Sequence, residues 1–261
     1  MFERSVWEKL SRFNPIDDYP VLPCPYCNGN ALRINKDTIC FKPLSGESLK
    51  NFVDKFSSEN FKNAEGGGEF IKFLAIIADA SDLANYKSSQ FIAFFDCALC
   101  SGSVSSLGVA RIPIKVGSKG AQLKVECFNP PVPMFSLSPT TPKKINEELL
   151  GAFRHFHSDV GSAGNKLRRA MEQLCVELGY GESNLHRNII AMSKDYPEES
   201  NWLGSLKLVG NEATHSNGVI ESDILDFLQV FDVVLDIFRR REASLKIRQT
   251  VEKIDDKFKK Y

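Results

Sequence analysis

The chain has 261 residues, of which 43% are hydrophobic and 25% are charged, and its acidic and basic residues are equal in number. This is the composition of a globular protein of about two domains, and the balanced charge excludes a protein that is basic over its whole surface. The N-terminus lacks the apolar run of a secretory signal, and no stretch reaches the roughly 18 apolar residues of a membrane span. We therefore expect a cytoplasmic protein with no membrane partner.

Two Cys-x-x-Cys pairs, at 24–27 and 97–100, are the most informative motif of the sequence. Each is followed by small turn residues, Asn28-Gly29 and Ser101-Gly102, which let backbone amides approach the sulfur atoms. Four thiolates at this spacing suit tetrahedral zinc and leave no position for a catalytic water. The alternative is two redox dithiols or two disulfides, which the repeated flanking residues disfavour. The predicted ligands of a structural Zn²⁺ in a zinc ribbon are Cys24, Cys27, Cys97 and Cys100.

The segment between the two pairs predicts a strand followed by a helical insert. Apolar residues recur at helical spacing in 49–56 and again in 70–80, on either side of Gly66-Gly67-Gly68. The other apolar runs have strand character and predict a small antiparallel sheet that carries the metal. The predicted strands lie at about 31–41, 90–95, 104–116 and 122–128. The zinc-ribbon domain is accordingly predicted to span 1–128, with its helical insert at 45–89.

A proline-rich segment, 129–142, follows the predicted sheet and contains five of the twelve prolines. Proline at this density excludes both a helix and a central strand, so we interpret the segment as a linker between domains. Thr141 and Pro142 have the character of an N-cap and a first helical residue. Beyond them, 143–261 contains only helical patterns and predicts an all-α bundle. The predicted helices lie at about 149–156, 163–178, 184–194 and 198–209, with a long one after Ser222.

The long last helix is apolar on more than one side, with Phe231 and Phe238 on its main stripe. A helix of this kind is either central to the bundle or half of a dimer interface, and we expect a homodimer through the C-terminal helices. From Arg239 to Lys260 the helical spacing continues with nine basic residues against four acidic ones. These basic residues either form only the solvent-exposed outer face of the helix or give the protein weak, salt-sensitive affinity for nucleic acid.

Two segments of the helical half carry a family resemblance. They are Asn165–Cys175, which includes Arg168-Arg169-Ala170-Met171-Glu172, and Gly210-Asn211-Glu212-Ala213-Thr214-His215 about forty residues later. Over roughly 147–240 the chain resembles the domain of unknown function 4145 family, which is similar to the HEPN helical bundles and is sometimes preceded by a zinc ribbon. The resemblance implies an α+β protein with a HEPN-like all-α bundle, in the neighbourhood of prokaryotic restriction and antiphage defence genes.

HEPN ribonucleases resemble one another in an Arg-x(4–6)-His motif, in which two Arg and two His meet over one scissile phosphate in a dimer. The asparagine and histidine of that motif carry over to Asn211 and His215, whereas the arginine position is Gly210. Loss of a charge-stabilising group typically lowers the rate about 10²–10³-fold, which disfavours intact ribonuclease chemistry. Arg168 or Arg187 would have to supply the missing cation. The alternative for His215 is a buried residue that, with Asn211, stabilises the turn before the last helix.

Two functions therefore compete. The first is a non-catalytic, zinc-binding adaptor that binds protein or nucleic acid, for which Lys115, Lys119 and Lys124 near the second cysteine pair are weak support. The second is a metal-independent ribonuclease with a degenerate motif, Asn211 and His215. Motifs that indicate chemistry are absent around the other histidines, which we interpret as ordinary surface or core residues. These histidines are His155, His157 and His186.

Overall fold

The computed structural model describes residues 2–63, with side chains to residue 54, and 85–114, 120–213 and 218–259. The chain divides into two compact units. One, the sheet unit, is built mainly from Asn30–Pro130, and the other, the helical unit, mainly from Pro131–Tyr261, while the first 29 residues are divided between them. The fold is α+β, as the sequence predicts.

The sheet unit contains six strands in the order β1-β6-β5-β4-β3-β2. The pairs β1–β6, β3–β4, β4–β5 and β5–β6 are antiparallel. The long strands β3 to β6 correspond to the four predicted ones, whereas β1 and β2, of two residues each, are too short to leave a periodic signal. The strands are β1 Asn14–Pro15, β2 Leu22–Pro23, β3 Asn30–Pro43, β4 Tyr86–Cys97, β5 Ser103–Pro113 and β6 Gln122–Asn129.

Alternation along β4 explains where the core of this sheet lies. Phe91, Ala93 and Phe95 are buried, while Ile92 and Phe94 between them are exposed on the other face. This period of two is the mark of a strand with one covered face. The strand begins at Tyr86, inside the insert predicted for 45–89. Its first residues are polar, so the apolar alternation that reveals a strand starts several residues later.

Two helices lie in the described part of the first half of the sequence. Helix α1, Arg4–Leu10, was not evident from the sequence, since it has less than two turns of apolar periodicity. Helix α2, Gly46–Asn63, is the first of the two predicted insert helices. On α2, Phe52 is buried and packs in a small cluster with Val109 of β5. The second predicted insert helix, at 70–80, lies outside the described residues.

The described residues of the helical unit contain six further helices, and several of these helices have recognisable start or end residues. Asp159 caps α4, its side chain accepting a 2.9 Å hydrogen bond from the Ser162 amide, and Gly179 ends that helix with a left-handed φ of 94°. Pro197 is the first residue of α6. The helices are α3 Lys143–His155, α4 Val160–Leu178, α5 Leu185–Met192, α6 Pro197–Glu212, α7 Glu221–Val234 and α8 Asp236–Phe258.

The predicted long last helix differs from expectation at its start and in its middle. It begins at Glu221, so that Ser222 lies inside the helix. Asp223 closes the first turn by accepting a 2.9 Å hydrogen bond from the Ile220 amide. It is interrupted at Leu235, so that α7 and α8 are separate helices. Phe231 and Phe238 are both buried within the chain. The wide apolar surface of α7 is therefore explained by a central position in the bundle.

The proline-rich segment forms no helix or strand between Asn129 and Lys143, all of whose residues the structure describes. It is nevertheless not a solvated connector, because Val132, Met134 and Phe135 are buried in the helical unit. The carbonyl of Met134 accepts a 3.0 Å hydrogen bond from the indole of Trp7, and the ring of Phe135 packs edge-on against Phe153. Proline density thus predicted the absence of regular structure correctly, but it carries no information about burial.

Among the described helices, none has both the length and the apolar character that a membrane crossing requires.

Candidate functional site

The first cysteine pair lies in a tight turn directly after β2. The Cys24 amide donates to the Gly29 carbonyl at 2.9 Å, and the Asn28 amide donates to the Cys24 carbonyl at 3.0 Å. Asn28 has a left-handed φ of 58°, which asparagine tolerates better than most residues. The Tyr26 amide approaches the Cys24 sulfur at 3.4 Å. Such a backbone donor stabilises a thiolate, which is the form of cysteine that binds a metal.

The second pair lies in a turn of the same design at the end of β4. The Cys97 amide donates to the Gly102 carbonyl at 2.9 Å, and the Ser101 amide donates to the Cys97 carbonyl at 3.0 Å. Ser101, in the position equivalent to Asn28, has a φ of 57°. The two turns therefore share their hydrogen bonds and their one left-handed residue. Their common geometry follows from the common pattern of a Cys-x-x-Cys pair and two small residues.

The four sulfur atoms form one cluster, in which all lie within 4.8 Å of one another. Sulfur atoms about 2.3 Å from a tetrahedral ion lie about 3.8 Å apart, so the cluster has the dimensions of a metal site. The arrangement brings all four predicted ligands together. Two independent dithiols would not need to lie this close to each other. The inner cysteines of the cluster, Cys24 and Cys97, are buried, whereas Cys27 and Cys100 are exposed.

The donor set fits zinc. Four thiolates with tetrahedral spacing favour Zn²⁺ or iron, and a scaffold that supplies all four ligands leaves no open position at which a substrate or water could be activated. Cys24, Cys27, Cys97 and Cys100 would hold the ion, which would stabilise the two turns against each other. With zinc bound, this site would have a structural role.

Polar contacts next to the second turn position its strand. The Asp96 carboxylate accepts hydrogen bonds of 2.7 Å from the Asn35 side chain and of 2.7 Å from the Ser103 hydroxyl. These bonds connect the three strands β3, β4 and β5 at the point where Cys97 leaves the sheet. No sequence pattern indicates this role, because an isolated Asp, Asn and Ser have no diagnostic spacing.

The motif of the helical unit brings α4 and α6 into close contact. The Arg168 guanidinium donates a 2.6 Å hydrogen bond to the Asn211 side-chain oxygen and a 3.3 Å bond to Glu172. A side-chain carbon added at Gly210 would lie 3.1 Å from the Arg168 side chain. Arg168 therefore covers Gly210 and reaches Asn211. In this chain the two sequence motifs thus form one helix contact.

The remaining candidates are dispersed or outside the described part of the chain. His215 lies outside it, as do Lys115 and Lys119. Lys124 does not support a binding surface, because this lysine is buried. β6 lies between β1 and β5 in the sheet, so both of its edges are paired.

The three other histidines have ordinary structural surroundings. His157 is buried, and its ring packs against those of Trp7 and Phe156. His186 lies on α5, and its Nδ1 is 3.1 Å from the Lys207 amine. His155 is in the last turn of α3, where a basic residue is favourable for the helix dipole. None of these surroundings resembles a catalytic arrangement.

Comparison with known families covers both helices of this contact. Residues 151–260 match the family described as Domain of unknown function (DUF4145). Over these residues the chain is similar to that family. The match begins within α3 and extends through α8, and thus reaches about twenty residues beyond the predicted end of the resemblance. Neither the curated proteins nor the solved structures include a match to the chain. The four-cysteine cluster lies before the matched residues in the sequence.

Proposed function

We propose that this protein is a zinc-binding, non-catalytic adaptor in which the four-cysteine site holds one Zn²⁺ and stabilises a binding surface for protein or nucleic acid. The observation that carries the proposal is the single cluster of four sulfurs, formed by two turns with the same hydrogen bonds. A zinc ion whose four ligands all come from the chain has no open position for a substrate or a water, so its role is to stabilise the fold.

The tips of the two turns are the surface that this adaptor would present. Tyr26 and Leu99, the third residues of the two Cys-x-x-Cys pairs, are 57% and 71% exposed. A large apolar side chain held rigidly at a turn is suited to fill a pocket on a partner, because little of its conformational freedom remains to be lost on binding. The C-terminal helices would join two copies, and the family resemblance suggests an accessory role in prokaryotic restriction or antiphage defence.

The test of the proposal is the metal content of the purified full chain, compared between Cys97→Ser and the control Cys40→Ser. We expect about one zinc per chain in the natural protein and in Cys40→Ser, since Cys40 is exposed on β3 and lies outside the cluster. Cys97→Ser should lose most of its zinc, because a serine hydroxyl is a poor replacement for a thiolate. Zinc-free natural protein after expression with ample zinc contradicts the proposal.

A metal-independent ribonuclease is the second candidate, and one contact favours it. Arg168 of α4 covers Gly210, the position where the ribonuclease motif has its arginine, and its guanidinium is hydrogen-bonded to Asn211. A cation is therefore near the degenerate motif, although Glu172 compensates part of its charge. Cleavage of RNA in the presence of a chelator, abolished by both Arg168→Ala and His215→Ala, would establish this alternative. Absence of such cleavage in the natural protein leaves the adaptor.

A further inference from the structure

The C-terminal helix continues beyond the body of the helical unit with an apolar stripe on one side. Of the residues of α8, Ile237 and Phe238 at its start are buried. From Arg239 to Phe258, which we name the tail, the side chains are exposed or nearly so over about 20 residues, or roughly 30 Å of helix. Four large apolar side chains of the tail, each between 50% and 64% exposed, form the stripe. They are Ile247, Val251, Ile254 and Phe258.

The spacing of the stripe is that of a coiled-coil seam. Its members are separated by four, three and four residues, which places them on one face of the helix with the period of a and d positions. Ion pairs between side chains four residues apart, Glu242–Lys246 and Asp255–Lys259, support the helix on its polar sides. A helix of this length gains most of its stability from packing of its apolar face, and the described residues of the chain leave this face exposed.

We propose that the stripe pairs with the stripe of a second copy of this chain in an antiparallel coiled coil. This deepens the homodimer put forward above, and it gives that homodimer an interface on the tail, since Phe231 and Phe238 are used within the chain. In the antiparallel arrangement Ile247 packs against the partner's Phe258, and Val251 packs against the partner's Ile254. A two-fold axis passes between Val251 and Ile254, so that each contact occurs twice.

Charge complementarity favours a second copy and selects the antiparallel direction. Arg248 and Asp255 follow Ile247 and Ile254 directly and flank the stripe on the same side. In an antiparallel pair this side meets its own counterpart, and Arg248 lies opposite the partner's Asp255 in two equivalent ion pairs. In a parallel pair Arg248 and Asp255 would instead lie opposite the partner's Ala243 and the partner's Thr250, and neither would meet an opposite charge across the interface.

The test measures self-association of the full chain by sedimentation velocity over the micromolar range. The seam has only four layers, so we expect a dimer that dissociates on dilution. Val251→Glu places a carboxylate in the seam and should raise the dimer dissociation constant about tenfold or more. The matched control is Leu245→Glu. Leu245 lies on the same helix, is 57% exposed, and points about 150° away from the centre of the stripe, so its substitution should leave the constant unchanged.

A charge exchange tests the register. Arg248→Glu puts two carboxylates opposite each other and should weaken the dimer, and the double substitution Arg248→Glu with Asp255→Arg should restore it. Circular dichroism and zinc content of each variant confirm that the fold is retained. A natural protein that stays monomeric overturns the homodimer together with this interface. A dimer that is insensitive to Val251→Glu, or equally sensitive to Leu245→Glu, overturns the interface alone, and a charge exchange without restoration overturns the antiparallel register.

Discussion

Single cysteines differ widely in their surroundings, and their reactivity should differ accordingly. Cys175 on α4 is fully buried, and burial together with the neighbouring negative charge of Glu172 raises the pKa of its thiol from 9.0 to about 11. Cys40 on β3 is exposed. Because the thiolate is the nucleophile, a folded protein at pH 8 should be alkylated by iodoacetamide at Cys40 and remain unmodified at Cys175. Peptide mass spectrometry after brief labelling measures both positions in one experiment.

The same labelling reports on the metal. With zinc bound, the four cluster cysteines should be protected, since their sulfur electrons are engaged with the ion. Addition of a chelator should expose Cys27 and Cys100 to the reagent before the buried Cys24 and Cys97. Labelling of all four at the same rate with and without the chelator would argue that no metal is held. Cys175 is the internal control of this experiment, because its protection depends on packing and not on the metal.

The raised pKa of Cys175 also makes a contribution to stability that depends on pH. Its pKa in the folded chain, about 11, is higher than the ordinary 9.0, so the unfolded chain releases the thiol proton first as the pH rises. Fewer protons are then bound by the unfolded state than by the folded state, and stability falls with rising pH. The loss should occur between about pH 9 and 11. Cys175→Ala should be less sensitive to alkaline unfolding in this window, although its smaller side chain lowers stability at neutral pH.

At the level of elements, the close approach of α4 and the end of α6 depends on a glycine. A side-chain carbon at Gly164 would lie only 2.4 Å from that of Ala213. Gly164→Ala should therefore destabilise the protein by about 1–3 kcal/mol, because the helices must separate. The same substitution at Gly204 on α6, where a side-chain carbon would meet no other atom within 4 Å, should stabilise the protein by about 0.5–1 kcal/mol through its helix propensity.

A compensating substitution distinguishes this overlap from other causes. Ala213→Gly removes the carbon that Gly164→Ala would overlap, so the double variant should recover most of the stability lost by Gly164→Ala. Urea unfolding followed by circular dichroism provides the free energies. Equal effects of Gly164→Ala and Gly204→Ala, or a double variant no more stable than Gly164→Ala, would contradict the close contact of these two elements.

Elements whose apolar pattern repeats several times could be predicted from the sequence, and elements too short for such a repeat could not. The alternation in β4 and the apolar face of α4 both extend over several turns or pleats, and both elements were correctly expected. The two-residue strands β1 and β2 and the short helix α1 have no such period, because tertiary contacts hold them. The interruption at Leu235 was missed for a related reason, since it involves neither glycine nor proline.

The candidate site was predictable to the extent that its chemistry is local. The metal ligands were found by spacing alone, because a Cys-x-x-Cys turn brings two sulfurs to one ion without help from the rest of the fold. The contact of Arg168 with Asn211 spans 43 residues of sequence, and no local pattern encodes it. Lys124 was misjudged because a charge on a strand says nothing about which face of the sheet it occupies.

For the whole molecule, the position of the tryptophans allows the two units to be followed separately. The chain has two tryptophans, and both Trp7 and Trp202 belong to the helical unit. Trp7 is buried, and its indole donates to the Met134 carbonyl at 3.0 Å. Tryptophan fluorescence therefore reports unfolding of the helical unit, whereas calorimetry records unfolding of both units. Comparison of the two measurements assigns each transition to a unit.

Removal of the metal should destabilise the sheet unit more than the core of the helical unit. Zinc binding to a structural site is folding free energy, so either chelation or Cys97→Ser should lower the temperature of the calorimetric transition of the sheet unit, to which Cys97 and Cys100 belong. The fluorescence transition of Trp7 and Trp202 should shift less, because the core of the helical unit is built from apolar contacts such as Phe227 and Phe231. Cys40→Ser is the control and should leave both transitions unchanged. If chelation shifts the fluorescence and calorimetric transitions together, the two units unfold as one, and the metal stabilises the entire chain.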